Sequence, residues 1–591
     1  MFLRYTSRKK NGKEHRYYSL VENRRVAGGR VVQRHALYLG EINDSQQEAW
    51  RKTIEIFEEG QTRQRTVALF PEDRCGDIAD PDIVRIRLRQ LSLHRPRQWG
   101  AGWLAAQLWA QVGLNAFWAA RLPVSRKGTR WDQVLQILVS YRLLDPGSEW
   151  RLYRHWFEHS ALADLLGADL SVADIHKLYE CHEHLLDHKA ELFTHLTKQW
   201  KDLFNAKFEV LLYDLTSTYF ESDPPFPQGD KRRYGYSRDQ RSDCVQVVIA
   251  LIVTPEGFPL AYEVLAGNTS DKTTLADFLK KIEDQYGQAQ RIWVMDRGLP
   301  TEDTLKAMRA AQPPVQYLVG TPRGRLTQYE KRLTEIPWQV AREGVSVKLL
   351  AEGEELYVLA QSQDRVNKER AMRRRQLKGL WKRLRQLQKM ELRRDVLLQK
   401  LGAALHEYPA GARLIQTTVA AETAELSFTL NKDKLRQARQ REGRYLLRSN
   451  ITSGRSAAEL WQFYIQLTEV EAAFKNLKGD LALRPIYHQL EHRIEAHIFI
   501  SFLAYCLHVT LRRRLHELAP GLTPRSVLEK FATLQMLDVH LPTTDERTVI
   551  LSRYTQPEKD VQLLLQRLKL ELPAQPPPKI TSSTAPAKPV L

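Results

Sequence analysis

Three carboxylates frame the chemistry open to this chain. Asp214 follows the apolar run "FEVLLY", Asp296 follows "RIWVM", and Glu471 lies in the helix-like stretch "QLTEVEAAFKNLKGD". An aspartate at the carboxyl end of a sheet strand sits at the rim where ligands bind in α/β folds. Taken singly, each aspartate reads more readily as a turn former or a helix cap than as a functional group. Tyr464, Leu467, Glu471 and Lys478 fall at steps of three, four and seven, so one helix face is expected to present phenol, carboxylate and ammonium, with Glu469 off that face. Three carboxylates converging in a folded core repel one another, and divalent cations keep them ionised. Oxygen-only ligands favour Mg²⁺ or Mn²⁺. Two such ions suit an in-line displacement at a phosphodiester, activating the nucleophile and steadying the leaving oxygen.

The elements that must position these acids follow from the hydrophobic pattern. Strand-like runs at Phe208–Tyr213, Cys244–Thr254 and Pro259–Ala266, the last two joined by "PEGF", open as a meander. A helix with Ser270 or Asp271 as N-cap, the strand "RIWVMDRG", a capped helix from Thr301 and the strand "VQYLVG" follow, which together predict a mixed α/β sheet. From Trp103 to Phe204 the pattern is helical, interrupted by "DPGSEW". The first sixty residues alternate short β-like runs with basic turns, and Asp44 to Glu59 is helix-like. Between Arg365 and Lys400 a long helix carries 14 Lys/Arg against 3 acids, with Leu377, Leu380, Leu384 and Leu387 as a heptad-like stripe. That stripe fits internal packing, a DNA-tracking arm or a dimerising arm. The tail "LPAQPPPKITSSTAPAKPVL" is expected to be disordered.

Composition narrows the partners. The 591 residues carry a formal charge of +19, which favours polyanions such as nucleic acid. Four scattered cysteines without a CxxC pair argue against a disulfide framework or a cysteine zinc site. The start has no signal-peptide core, and "HIFISFLAYCLHVTL" is too short for a span and reads as a buried helix, so no membrane is expected. No GxxxxGK[ST] loop occurs, so ATP use is not expected.

Phosphate and base contacts are expected from "QGDKRRYGYSRDQRSD", a basic, aromatic loop beside Asp214 that holds Arg232, Arg233, Tyr236 and Arg238, and from Arg297 next to Asp296. A solvated loop is the plainer alternative. His184 and His188 could share a helix face as metal ligands, but no third ligand is suitably spaced, and ordinary helix surface is expected. Asn268 and Asp271 in "GNTSD" read as turn and cap.

The order of strand and Asp214, hairpin, helix, strand and Asp296, long insertion, then helix and Glu471 resembles the ribonuclease-H-like DDE transposases of bacterial insertion sequences. Tyr464-x2-Leu467-x3-Glu471-x6-Lys478 is similar to the Tyr-Arg-Glu-Lys signature of the insertion-sequence-four family. "LLYDLTSTYFE", "GYSRDQRSD", "GNTSD" and "YLLRSN" resemble the same transposases. The resemblance covers about residues 130–515 and implies an α/β, ribonuclease-H-like mixed sheet interrupted by a large insertion, with a helical N-terminal region.

By the resemblance, Asp214, Asp296 and Glu471 are the catalytic metal ligands, and Tyr464 and Lys478 contact the DNA end. Leu467 stands at the signature's arginine, a contact that Lys475 or Arg484 could supply. The implied organisation is a basic DNA-binding module (1–95), a helical DNA-binding region (96–205), a catalytic domain in two parts (206–320 and 451–520) around an insertion domain (321–450), and a C-terminal helical segment with tail (521–591). The implied enzyme is a cytoplasmic, nucleoid-associated homodimer that binds terminal inverted repeats, cleaves the ends and joins them to target DNA with two Mg²⁺ or Mn²⁺ ions. A nuclease without strand transfer and a catalytically idle DNA-binding derivative are the alternatives; a carboxylate-pair glycosidase explains neither the charge nor the third acid.

Overall fold

The computed structural model describes residues 2–10, 13–25, 31–41, 86–222, 224, 226–269, 275–287, 291–421, 425–544 and 547–581. The expected helix at Asp44–Glu59, the Ser270/Asp271 cap and the end of the Pro-rich tail lie outside these residues. The chain forms two compact units, one of residues 1–106, 150–173 and 515–591, the other of 107–149 and 174–514.

The first unit contains an antiparallel sheet of Phe2–Lys10, Lys13–Arg25 and Val31–Glu41, in that order. Its second sheet runs Lys579–Thr581, Thr548–Tyr554, Gln535–Pro542, Ser92–Gln98. The C-terminal segment, expected to be helical, therefore supplies three strands as well as the helices Pro524–Phe531 and Lys559–Arg567. Strand Gln535–Pro542 buries Met536, Asp538 and Leu541, so a carboxylate interrupts its apolar face. Arg97 resolves that burial, donating to both Asp538 oxygens at 3.1 and 2.9 Å and pairing with Asp164 at 2.9 Å. A buried carboxylate is tolerated when it is paired and hydrogen-bonded in this way.

The second unit is built on one nine-stranded sheet: β1 (Val210–Phe220), β2 (Val245–Val253), β3 (Pro259–Ala266), β4 (Ile292–Met295), β5 (Gln316–Gly320), β6 (Gln339–Arg342), β7 (Val345–Glu352), β8 (Glu355–Ser362) and β9 (Arg444–Ser449). Their spatial order is β6-β7-β8-β9-β5-β4-β1-β2-β3. β1, β2 and β3 form the antiparallel meander, while β1, β4 and β5 are parallel. Every residue of β2, "VQVVIALIV", is buried, as a β-branched strand covered on both faces should be. On one face, Leu211, Tyr213, Phe278, Trp293, Met295 and Tyr317 share a core with the helices Leu275–Tyr286 and Glu302–Ala310.

The region 321–450 contributes strands to this same sheet. β6, β7, β8 and β9 extend it beyond β5, and β9 returns antiparallel between β8 and β5. "YLLRSN" secures the return: Ser449 Oγ donates to the Tyr317 carbonyl at 2.7 Å, and Asn450 bonds the Tyr317 N–H and the Val315 carbonyl at 2.8 and 2.9 Å. The expected single basic helix is two, Gln363–Gln388 and Arg394–Glu407. Leu380, Leu384 and Leu387 bury against Leu397, Leu401 and the hairpin Ile415–Val419/Leu426–Leu430, so the leucine stripe packs internally.

Among the described residues, one helix, Glu491–Leu518, is long and apolar enough to cross a membrane, and 89% of its apolar window is buried inside the protein.

Candidate active site

The register of two parallel strands brings the aspartates together. β1 and β4 pair from Val210↔Ile292 to Tyr213↔Met295, and the next residue on each chain is Asp214 or Asp296. Neighbouring strands lie roughly 4.8 Å apart, so the two carboxylates start from adjacent backbones. Asp214 was expected at a strand end. It is instead the fifth residue of β1, which continues to Phe220 paired with β2 through Asp214↔Leu251 and beyond. What ends after Tyr213 is the pairing with β4, and that termination uncovers Asp214 on one side.

Glu471 arrives on the helix Leu467–Lys478, whose Val470, Ala473, Phe474 and Leu477 are buried while Glu471 is exposed. This helix packs on β1 and β2. Burial pushes the Asp214 carboxyl up to about 7; the Leu215 N–H and Arg238 oppose that rise, and the charges of Asp296 and Glu471 add to it. A carboxyl raised chiefly by burial, with two acids adding to the rise, is the pattern of a functional-site acid.

The helix expected from Arg455 is broken at Gln466 into Ala457–Ile465 and Leu467–Lys478. Tyr464 therefore belongs to the first piece, opened by a Ser456/Glu459 capping box, and donates its hydroxyl to Asp296 Oδ1 at 3.1 Å. Leu467 is 8% exposed and part of the core, so the position expected to carry an arginine makes no surface contact. Glu469 turns away to Arg512 at 3.0 Å.

Lys478 donates to both oxygens of Asp239 at 3.1 Å, and Arg484 pairs with the same carboxylate at 2.9 Å while lying over the Tyr219 ring. Two basic side chains thus anchor the "GYSRDQRSD" loop from the glutamate-helix side. Burial lowers the Lys478 pKa, and Asp239 opposes the shift. The loop is also held at its base. A Cβ on Gly235 would meet the Gly267 carbonyl at 2.1 Å, and Gln246 Nε2 bonds the Tyr236 and Gly267 carbonyls at 3.0 and 2.9 Å. Gly267, the glycine of "GNTSD", therefore serves close backbone packing.

Arg232, expected to contact DNA, is buried instead. Its guanidinium pairs with Asp230 at 2.7 Å and donates to the Gln489 carbonyl at 2.9 Å. Arg233 is half-buried, its Nη1 donating to the Arg232 carbonyl at 2.9 Å. Tyr236 is 85% exposed, Arg297 and Lys475 are exposed, and Arg238 is half-buried within reach of Asp214's charge. A pocket of about 210 Å³ opens beside Asp296, with Arg297, Arg365, Arg444, Tyr445 and Tyr464 in its wall. Arg365 and Arg444 were not anticipated as part of this neighbourhood because both lie in the segment expected to form a separate domain.

His184 and His188 do not form a site. His184 is exposed against Trp131 and His188 is half-buried against Trp118. The buried histidine of that stretch is His182.

The sheet and helices that carry Asp214, Asp296 and Glu471 lie within one family match. Residues 206–507 match the transposase DDE domain, half of the chain, and the protein belongs to the DDE transposases. Residues 3–56 match the IS1634 family transposase N-terminal domain, which corrects the expected insertion-sequence-four assignment within the DDE transposases. No curated protein matches the chain significantly. Among solved structures, a piggyBac transposase synaptic complex with hairpin DNA aligns at 10% identity over 75% of this chain and 82% of that one. The TM-score of that alignment is 0.33.

Proposed function

We propose that this DDE transposase binds the terminal inverted repeats of its insertion sequence, cleaves phosphodiesters at the ends and joins the 3′-hydroxyls to target DNA, acting as a homodimer on DNA. The observation that carries the reading is the parallel pair Tyr213↔Met295, which sets Asp214 beside Asp296, together with the influence of Asp296 and Glu471 on Asp214. A ribonuclease-H-like catalytic sheet is supported by the order β3-β2-β1-β4-β5, with the first three strands antiparallel and the last three parallel.

Three carboxylates and no nitrogen or sulfur donor suit Mg²⁺ or Mn²⁺, and two ions held by Asp214, Asp296 and Glu471 are the expected complement. When bound, such ions supply Lewis-acid activation of the attacking water or hydroxyl and stabilisation of the leaving oxygen. The chain's own residues orient the site. Tyr464 fixes one oxygen of Asp296, and Lys478 and Arg484 hold the Asp239 loop that carries Arg238 and Tyr236 toward the DNA. The exposure of Arg297 and Lys475 and the partial exposure of Arg238 support their contact with phosphates, and the exposed Tyr236 ring supports contact with a base.

The test is Asp296→Ala, with binding to the element's ends and Mg²⁺-dependent nicking measured separately. Binding should survive while nicking and joining vanish; full activity overturns the assignment. Supplying pre-cut ends separates a transposase, which joins them, from a nuclease, which does not.

A further inference from the structure

Away from the carboxylate site, four side chains from distant parts of the sequence converge in the interior of the second unit. Glu149 closes the "DPGSEW" turn, His182 follows the helix Ile175–Cys181, His488 lies in the segment after the glutamate helix, and His497 sits on the helix Glu491–Leu518. They are 4%, 1%, 6% and 3% exposed, and one ligand atom from each lies within 4.8 Å of all the others.

Around Glu149 Oε1, His488 Nε2 stands at 3.2 Å, His497 Nδ1 at 3.5 Å and His182 Nε2 at 3.6 Å. A tetrahedral ion with bonds of about 2.0–2.1 Å has ligand-to-ligand edges of roughly 3.3–3.4 Å. The three separations from Glu149 bracket that edge.

The hydrogen bonding points the same way. His182 Nδ1 donates to the Leu178 carbonyl at 2.9 Å, which leaves Nε2 of the neutral ring with a lone pair directed at the carboxylate. That buried Nε2 has no hydrogen-bond partner. A carboxylate oxygen has about two lone-pair sites, so it cannot satisfy three ring nitrogens by hydrogen bonding alone. A backbone carbonyl fixing the far nitrogen is also the usual support of a metal-ligating histidine.

We propose that Glu149, His182, His488 and His497 bind one structural Zn²⁺. Three imidazoles and one carboxylate select a first-row transition ion over Mg²⁺, and four buried protein ligands leave no open position for substrate. The ion ties the helical segment before the catalytic sheet to the chain that follows Lys478. Gln489, the residue after His488, receives Arg232 of the basic loop, and Arg142 donates to the Ala482 carbonyl at 3.1 Å close by. The centre therefore anchors the loop and the exit of the glutamate helix as a positioning device, separate from the site of phosphoryl transfer.

The full-length protein, dialysed against EDTA sufficient to strip Mg²⁺, is expected to retain one zinc per chain by elemental analysis. Protein produced with cobalt in place of zinc should show the visible ligand-field bands of tetrahedral Co²⁺. Asp214→Asn, Asp296→Asn and Glu471→Gln combined should keep the metal, whereas His182→Ala or His488→Ala should lose it together with the cobalt bands. Wild-type protein without zinc and without a cobalt spectrum overturns the proposal, even where a histidine variant does not fold. Metal lost from the carboxylate triple variant but kept in the histidine variants overturns it as well.

Discussion

The Tyr464 hydroxyl donates to Asp296 Oδ1 at 3.1 Å, and this contact depends on a glycine on the neighbouring strand. A Cβ at Gly320 would lie 2.5 Å from the Tyr464 hydroxyl oxygen. A hydrogen bond to a charged acceptor contributes about 1.5–3 kcal/mol, so Tyr464→Phe is expected to slow end cleavage by about tenfold or more, with end binding retained. Gly320→Ala should produce the same defect by displacing the ring. Single-turnover nicking checks both, and wild-type rates in Gly320→Ala would show that the tyrosine is not needed where it stands.

Asp239 neutralises Lys478 and Arg484 together. Its removal in Asp239→Asn frees cationic charge for phosphates while releasing the loop beside Asp214. Non-specific DNA affinity should rise, and its logarithmic salt slope should steepen by about one unit, because each phosphate neutralised releases counterions. Cleavage should fall in the same variant. Binding titrations across a salt series decide the matter, and an unchanged slope counts against free basic groups at this position.

Arg448 is buried between β8 and the helix Glu302–Ala310, donating to Glu355 at 2.7 Å and to Glu302 at 2.8 Å, and Arg309 reaches Glu355 at 2.5 Å. Arg448→Met leaves Glu355 with Arg309 as its remaining cation and one oxygen unsatisfied, and should destabilise the second unit by about 1–3 kcal/mol. Arg448→Met with Glu355→Gln should recover part of that loss. Denaturant midpoints of the three proteins provide the measurement.

The first unit carries its own acid sensitivity at Asp538. Burial works to raise this carboxyl, but hydrogen bonds from Arg97 and Ser552 and the charges of Arg97 and Arg95 hold it below its ordinary value of 3.8. A lowered folded pKa stabilises the protein fully above the unfolded pKa, and the benefit disappears as pH falls through that value and below. Thermal melting followed from neutral pH to about pH 3 should therefore show a loss beginning near pH 4. Asp538→Asn should melt lower at neutral pH and depend less on acid.

Much of the catalytic half was legible because strand and helix periodicities are local. "VQVVIALIV" reads as a buried strand from its β-branched run, and "VLLYD" and "IWVMD" place an aspartate after buried residues whatever the partners are. Other positions depend on contacts made across the sequence. Leu467 and Arg232 look like surface positions by spacing, yet one joins the core and the other is enclosed by Asp230 and Gln489. The break at Gln466 is invisible to a pattern that continues through it.

The sequence by itself determined the three acids, the basic excess and the buried runs that carry two of the acids, because residue type and short-range period decide which side of an element meets water. Tertiary structure decided which backbones run side by side. The Tyr213↔Met295 register set Asp214 against Asp296, the β9 return strand brought the segment of Arg365 and Arg444 to the Asp296 pocket, and the packing of the Glu491–Leu518 helix gathered His488 and His497 about Glu149 and His182. Those meetings join residues tens to hundreds of positions apart, and they follow from burying many apolar faces at once, which no local stretch specifies.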